Sequence, residues 1–234
     1  MSQLYLWLNL GSLAVPFLFS FHPKIQFYKH WSTVFPGILV MMLIFIPWDI
    51  YFTQHGFWGF NPDYLTGISL WGLPLEEWLF FVCIPYACLF THYTIARLKP
   101  QWSLSQINAQ RVFLILSSLL VISLWYGYTN WYTATSFSFA LLVLGLTNNY
   151  NADLFRTFFV SFAIISVPFF MVNGVLTGSG LPEPVVWYNN SENFGLRLGT
   201  IPVEDTIYNL GMLLTIVLVS NWLEQRRKKS AKHV

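Results

Sequence analysis

Charge is what this chain has least of. Only 9% of its 234 residues are Asp, Glu, Lys or Arg, against about 25% in an ordinary soluble domain. That shortage excludes a well-solvated globule, and no nucleic-acid partner is expected. Cysteine is almost missing too: Cys83 and Cys88 lie five apart in one apolar stretch, off one helical face and with no CxxC. A disulfide or zinc site is therefore not expected, and the two read as inert core thiols. No GxGxxG follows a strand, which removes a dinucleotide fold. There is no DDxxD-like cluster for magnesium diphosphate, because Asn148 to Asp153 (NNYNAD) has one acid only, and this argues against an isoprenyl transferase. The last apolar segment has no Lys before the tail, which argues against a retinal photoreceptor. His22, His30, His55, His92 and His233 are scattered, so neither a metal nor a cofactor is expected.

What is present is apolar and aromatic. Hydrophobic residues make up 55%, mean hydropathy is +0.52, and aromatics reach 19% with 11 Trp and 12 Tyr, as suits rings at headgroup depth. Seven apolar segments are each long enough to span a bilayer or nearly so: about Leu4 to Phe21, Thr33 to Phe52, Leu75 to Ile95, Val112 to Tyr128, Ala134 to Thr147, Leu154 to Val172 and Thr206 to Trp222. The fourth and fifth are short. The first lacks a basic flank and a small-residue cleavage site, and is expected to be retained.

If the segments alternate, Lys24, Lys29, Arg97, Lys99, Arg111, Arg156, Arg226, Arg227, Lys228, Lys229 and Lys232 share one side, and only Arg197 falls on the other. The positive-inside rule then puts the C-terminus in the cytoplasm and the N-terminus outside, in a bacterial inner membrane. Acids do the reverse: Asp63, Glu76, Glu77, Glu183, Glu192, Glu204 and Asp205 gather on the outer side, with Asp49 near the outer end of the second segment.

The acids sit in a repeat. Gly67 to Phe80 (GISLWGLPLEEWLF) and Gly195 to Tyr208 (GLRLGTIPVEDTIY) align without a gap. Upstream, IPWD at Ile46 to Asp49 answers VPFF at Val167 to Phe170. Segments 1–3 thus repeat as segments 5–7, in the same membrane orientation, with segment 4 as connector. The expected architecture is an all-α, polytopic membrane protein of about seven transmembrane helices, built as two parallel three-helix repeats about a pseudo-two-fold along the membrane normal. Its parts are residues 1–98, a connector at 99–132, residues 133–223 and a basic cytoplasmic tail at 224–234.

In each copy a Pro, Pro74 or Pro202, stands two residues before an acidic pair at a helix start. Glu76, Glu77, Glu204 and Asp205 then complement the positive end of the helix dipole. That alone is a sufficient structural reason for one pair. Two pairs at membrane depth point to function, because ionisable groups there are costly. A carboxylic acid at the edge of hydrocarbon favours its neutral form, and two close together can share a proton. Such an acid can protonate a carbon–carbon double bond, a second carboxylate can stabilise the cation and remove a proton, and aromatic faces can help by cation–π attraction. Trp48, Trp71, Trp78, Phe80, Phe81, Trp187, Tyr188 and Tyr208 lie near the motifs. Arg197, seven before Glu204, is a candidate partner for one carboxylate.

IPWD, LPLEEWLFF at Leu73 to Phe81, PVVWYNN at Pro184 to Asn190 and IPVEDTIYN at Ile201 to Asn209 resemble the membrane lycopene cyclases built from small c and d domains. The resemblance covers nearly the whole chain; no phytoene synthase portion is expected, nor the flavin fold of soluble cyclases. It implies non-redox conversion of the ψ ends of lycopene to β-ionone rings, through γ-carotene to β-carotene, by an isomerase of the intramolecular lyase type. Carried over by motif, Glu76, Glu77, Glu204 and Asp205 are the catalytic candidates with Asp49 in support, and Glu77 and Glu204 are the two favoured as essential acids. Trp48, Trp78, Phe81, Arg197 and Tyr208 are expected along the substrate. Expected partners are the carotenoid, the lipid bilayer and other carotenoid enzymes. Two alternatives stay open: a hydratase acting on carotenoid end groups, and a non-enzymatic membrane transporter or isoprenoid-binding protein.

Overall fold

Long apolar runs in a bilayer have one economical solution, a helix that satisfies every backbone group internally. The computed structural model describes residues 3–230 and among them has seven α-helices: α1 Leu4–Phe19, α2 Trp31–Gln54, α3 Leu75–Leu98, α4 Gln106–Gly127, α5 Trp131–Asn151, α6 Leu154–Leu176 and α7 Val203–Ser230. Five segments are long and apolar enough to cross a membrane, those containing α2, α3, α4, α6 and α7. α1 is apolar but has only 16 residues, and α5 spans 21 residues interrupted by Thr, Ser and Asn. The protein is an all-α membrane protein.

Three helices extend past their apolar runs. α4 begins at Gln106, where the Ser105 side chain caps the Asn108 N–H, and α5 continues through the polar stretch ending at Asn151. α7 runs on to Ser230, so Arg226 to Lys229 are helical rather than a loose tail. Arg226 lies over the Trp222 ring at 3.9 Å, and Arg227 donates to the Ser32 carbonyl at 2.9 Å. The Arg227 contact, with Glu224 against His30 at 3.0 Å, holds the last turns to the start of α2. Arg97 likewise donates to the Lys24 carbonyl, so the basic loops gather at one end of the bundle. Lys232 and His233 lie outside the described residues.

α7 is the centre. Leu210, Met212, Leu213, Leu214, Ile216 and Val217 are all buried, packed between α2 and α5. α3 lies against α1 and α6, while α4 covers α5 and α6. The outward face of α4 presents Leu114, Ile115, Leu119, Ile122 and Trp125, a stripe suited to lipid.

At the end opposite the basic loops lie six short strands: β1 Trp58–Phe60, β2 Ser69–Leu70, β3 Leu73–Pro74, β4 Val186–Tyr188, β5 Arg197–Leu198 and β6 Ile201–Pro202. The last three stand 128 residues after the first three (58 to 186, 69 to 197, 73 to 201), element for element. β2–β3 and β5–β6 are hairpins, closed by Trp71–Gly72 and Gly199–Thr200. Trp71 and Gly72 both have positive φ, as a type I′ turn requires, and Gly199 alone does in the second hairpin. β1 pairs with β4 antiparallel, with Gly59 opposite Trp187 at the centre. Those two residues are themselves 128 apart, so a local two-fold axis passes between the strands. A Cβ on Gly59 would run into the Trp187 indole, so only glycine permits this crossing.

Candidate active site

Each hairpin delivers its chain into a helix start. Pro74 is the N-cap of α3, with φ −58° and ψ 147°, one residue outside the helical turn in which it was expected. Glu76 and Glu77 therefore occupy the first turn, about 100° apart around the axis, and their carboxyls leave in different directions. Glu204 and Asp205 do the same on α7.

Glu76 and Glu204 turn back toward the loops. Glu76 Oε1 accepts from the Thr66 N–H at 2.6 Å, and Glu204 Oε1 accepts from the Phe194 N–H at 2.8 Å, ten residues upstream in both cases. Glu204 Oε1 also accepts from Thr133 Oγ1 of α5 at 2.6 Å, while Asn9 of α1 donates to the Glu76 main-chain carbonyl at 2.8 Å. Both side chains are fully buried. They clamp each loop to its helix and to a neighbouring helix, and neither lines the central cavity.

Glu77 and Asp205 turn inward, and Asp49 of α2 joins them in the wall of one cavity of about 60 Å³. Relative exposure is 2% for Asp49, 8% for Glu77 and 5% for Asp205. The Tyr5 hydroxyl, from the first turn of α1, donates to Glu77 Oε2 at 2.5 Å. Asp49 and Glu77 face each other's half of the same small cavity, and Asp49 Oδ2 has no hydrogen-bond partner among the described residues. Asp49 Oδ1 also accepts from the Trp58 indole N–H at 2.6 Å and from Thr53 Oγ1 at 3.3 Å. Asp205 accepts from three neutral donors: Tyr132 OH at 2.6 Å, Asn173 Nδ2 at 2.7 Å and Tyr188 OH at 2.9 Å. Burial, with the Asp205 charge beside it, pushes the Tyr188 phenol well above its ordinary range, which keeps it a donor.

No basic side chain answers these acids. The ion pairs among the described residues are His30 with Glu224 and Arg156 with Asp153, both away from the cavity. Arg197 does not reach a carboxylate. It donates to the Thr200 carbonyl at 2.6 Å and to Asn190 Oδ1 at 2.9 Å, and its guanidinium lies 5.8 Å from the Tyr188 ring centroid. Its long side chain is used up bracing the second hairpin.

The remaining wall is aromatic and apolar. Tyr208 lines it with Phe60, Phe80, Phe169 and Trp58. Tyr132 and Tyr188 stack at 5.9 Å, and Trp58 sits edge-on to Tyr132 at 5.0 Å. Of the other rings expected along a substrate, Trp48 stands behind the wall, 5.1 Å from Tyr208. Phe81 is buried in the bundle core. Trp78 lies outside, donating to the Leu70 carbonyl at 3.3 Å and stacked edgewise on Trp71 at 5.6 Å. Asn209, one turn after Asp205, also lines the cavity, and neither its Nδ2 nor its Oδ1 has a partner among the described residues.

Tyr5, Tyr132, Asn173 and Asn209 were not singled out from the sequence. A signal was there: a polar or phenolic side chain within an otherwise apolar helix is itself a functional flag. Among the described residues no three His, Cys, Asp or Glu form a group suited to a metal ion, and both cysteines are free and buried.

Three carboxyls with no basic side chain beside them, set in an aromatic wall at one end of a membrane bundle, are chemically able to hold and pass a proton. Comparison with known proteins shows the family. A family model described as lycopene cyclase matches residues 2–95 and 129–223, leaving out the whole of α4. The bifunctional lycopene cyclase/phytoene synthase of Aspergillus oryzae is 25% identical over 189 residues, 74% of this chain and 28% of that protein. The protein of the same description from Podospora anserina is 30% identical over 82 residues, 35% of this chain and 14% of that protein. The one from Neurospora crassa is 37% identical over 49 residues, 21% of this chain and 8% of that protein. The chain thus spans well under a third of the length of these relatives. No solved structure matches it. With the family model covering most of its length, the chain belongs to the lycopene cyclase family.

Proposed function

We propose that the chain is an enzyme that cyclises the ψ ends of lycopene to β-ionone rings, giving γ-carotene and then β-carotene, by acid catalysis without net redox change. The observation that carries this reading is the shared cavity of Asp49, Glu77 and Asp205, lined by aromatics and with no basic side chain in its wall.

The division of labour follows from the partners. Two buried carboxyls facing one small cavity cannot both be ionised at little cost, so the Asp49–Glu77 pair holds a proton. Asp205, with three neutral donors, is set up as a carboxylate. The pair gives its proton to the terminal double bond of the polyene. The resulting carbocation is attacked by a second double bond of the same chain, which forms the ring carbon–carbon bond and moves the positive charge into the ring. Asp205 takes a ring proton, which leaves a double bond behind. Substrate and product have the same mass: Asp205 gives the proton it took to water, and the pair takes a new one from water before the next turnover. The Tyr132, Tyr188, Tyr208 and Trp58 rings face the cationic stage, where cation–π attraction contributes about 0.5–2 kcal/mol per ring.

The repeated layout fits this reading: two acidic helix starts of equivalent position meet across the local two-fold, with residues 1–98 and 133–223 as the two halves. The membrane orientation that goes with it has the acidic end outside and the basic end in the cytoplasm, following the charge split. A second reading, end-group hydration, is favoured by Asn209, whose free amide could hold a water beside the cation.

The test is purified chain in vesicles loaded with lycopene, run in heavy water. Cyclisation yields products that carry one deuterium per ring and no added oxygen. Hydration adds the mass of a heavy-water molecule. Lycopene recovered unchanged and unlabelled would overturn both readings and favour a carrier.

A further inference from the structure

The acid cavity, at about 60 Å³, has room for about two water molecules and not for a long hydrocarbon. The bulk of an isoprenoid must lie elsewhere, and it must be continuous with the acids. One groove meets that condition. It runs between α1, α3 and α6, encloses about 430 Å³, and shares Phe80, Phe169 and Asn173 with the wall of the acid cavity. On α1 it extends from Trp7 to Pro16, about 13 Å along the helix. Its lining is overwhelmingly apolar, and small residues, Gly11 and Ser12 on α1, form the α1 side. A Cβ added at Gly11 would meet nothing within 4 Å, so this depth exists because a side chain is missing.

The local two-fold implies a second groove, between α2 and α5. Tyr5 and Tyr132 both donate to the inward acid of their half. With them superposed, Gly11 corresponds to Ser138 and Ser12 to Phe139. Likewise Phe80 corresponds to Tyr208, and Phe169 to Trp48. The second depression, lined by Trp48, Ser138 and Phe139, is of similar size at about 410 Å³ but has none of its lining in common with the acid cavity. The Phe139 ring stands 5.1 Å from Phe45 and 5.9 Å from Trp48, and Trp48 stands 5.1 Å from Tyr208. Interlocked rings close on that side the passage that small residues leave open on the other.

We infer that the α1–α3–α6 groove holds the unreacted length of the linear polyene, admitted sideways from the lipid past Phe80 and Phe169, and that Phe139 plugs the equivalent groove so that the enzyme has a single mouth. This rests on the proposed cyclisation at the acid cavity. Its consequence is that a substrate with two ends must leave and return, or turn around, before the second end can react.

The test uses the full chain in a lycopene-accumulating bacterium, with Gly11→Phe and Ser12→Phe as plugs and Ser138→Phe as the matched control on the closed side. Ring products are measured in the parent background, and co-purifying lycopene in a Glu77→Gln background, each per monodisperse protein after detergent extraction, so that unfolded chains are not counted. Each plug is expected to cut both readouts about tenfold or more, the loss of a few buried methylenes' worth of contact, and Ser138→Phe to change them less than about twofold. Gly11→Phe also removes a helix-interior glycine, which favours the fold. Plugged chains that keep both readouts within about twofold of the parent overturn the groove, as does a control that loses as much as the plugs. A parent that holds lycopene in a plug-sensitive way but forms no ring sinks the cyclase reading and leaves the groove standing. Plugged chains that form rings as fast as the parent do the reverse.

Discussion

Glu77 accepts from one phenol, Tyr5, and shares its cavity wall with a second carboxyl, Asp49, whereas Asp205, its counterpart 128 residues later, accepts from Tyr132, Tyr188 and Asn173. The helix starts that carry them are built alike: a hairpin, a proline, an acid clamped to the loop and an acid turned inward. The difference comes from the neighbours. In the motif alignment Asp49 of α2 corresponds to Phe170 of α6, so only one half has a second acid to share a proton. Asn173 of α6 supplies instead an amide donor to the other half. Two helix starts built alike thus carry two carboxyls, and a few differences on the adjoining helices give them different partners, which the proposed cyclisation uses as proton donor and proton acceptor.

Breaking the donor half should have the largest effect. Glu77→Gln is expected to lower ring formation about 10³-fold and Asp49→Asn about 10²-fold, within the range of general acid catalysis, read by chromatography of pigments from a lycopene-accumulating host. Equal and small losses at the two positions would dissolve the proposed pair. Next comes a matched comparison of phenols. Tyr132→Phe removes a hydrogen bond to a charged group, about 1.5–3 kcal/mol, and should slow turnover about 10- to 100-fold. Tyr5→Phe removes one to a group that shares a proton, about 0.5–1.5 kcal/mol, and should cost about threefold to tenfold. The reverse order would exchange the roles of the two halves.

Smaller still is the effect of Glu76→Gln on chemistry. It should lower stability in detergent by about 1–3 kcal/mol through a weakened loop clamp, visible as a lower thermal midpoint, while turnover per folded molecule stays within about threefold. The least change belongs to Arg197→Gln. Its hydrogen bonds are confined to the second hairpin and Asn190, and it touches the acids' surroundings only through a distant approach, 5.8 Å, to the Tyr188 ring, so activity should move by less than about twofold. A tenfold loss there would restore it as a partner of the acids.

Much of the fold was legible because a bilayer makes the apolar run itself the constraint. Each of the seven apolar segments became a helix, and misjudged boundaries fell where polar residues such as Gln106 and Asn151 continue a helix into the headgroup region. The acidic pairs were legible as pairs, from Pro74 and Pro202 and their spacing. Which member of each pair faces inward was not. Adjacent first-turn residues differ by about 100°, and the choice depends on where α1, α2 and α5 pack, so Glu204 was favoured where Asp205 turns inward. The hairpins are too short for alternation to register, and the strand pair at Gly59 and Trp187 joins residues far apart in the chain. The donors Tyr5, Tyr132 and Asn173 come from helices distant in sequence, and only packing brings them to their acids.

The most direct measurement sets Glu77→Gln against Glu204→Gln, with ring formation counted per folded molecule in the same lycopene-producing cells. The two residues stand at neighbouring positions in near-identical helix starts, yet only one faces the cavity. The Glu77 variant should leave lycopene uncyclised, while the Glu204 variant, recovered in lower amount, still forms rings at a rate within about tenfold of the parent. Rings formed freely without the Glu77 acid, alongside a properly folded but silent Glu204 variant, would contradict the account.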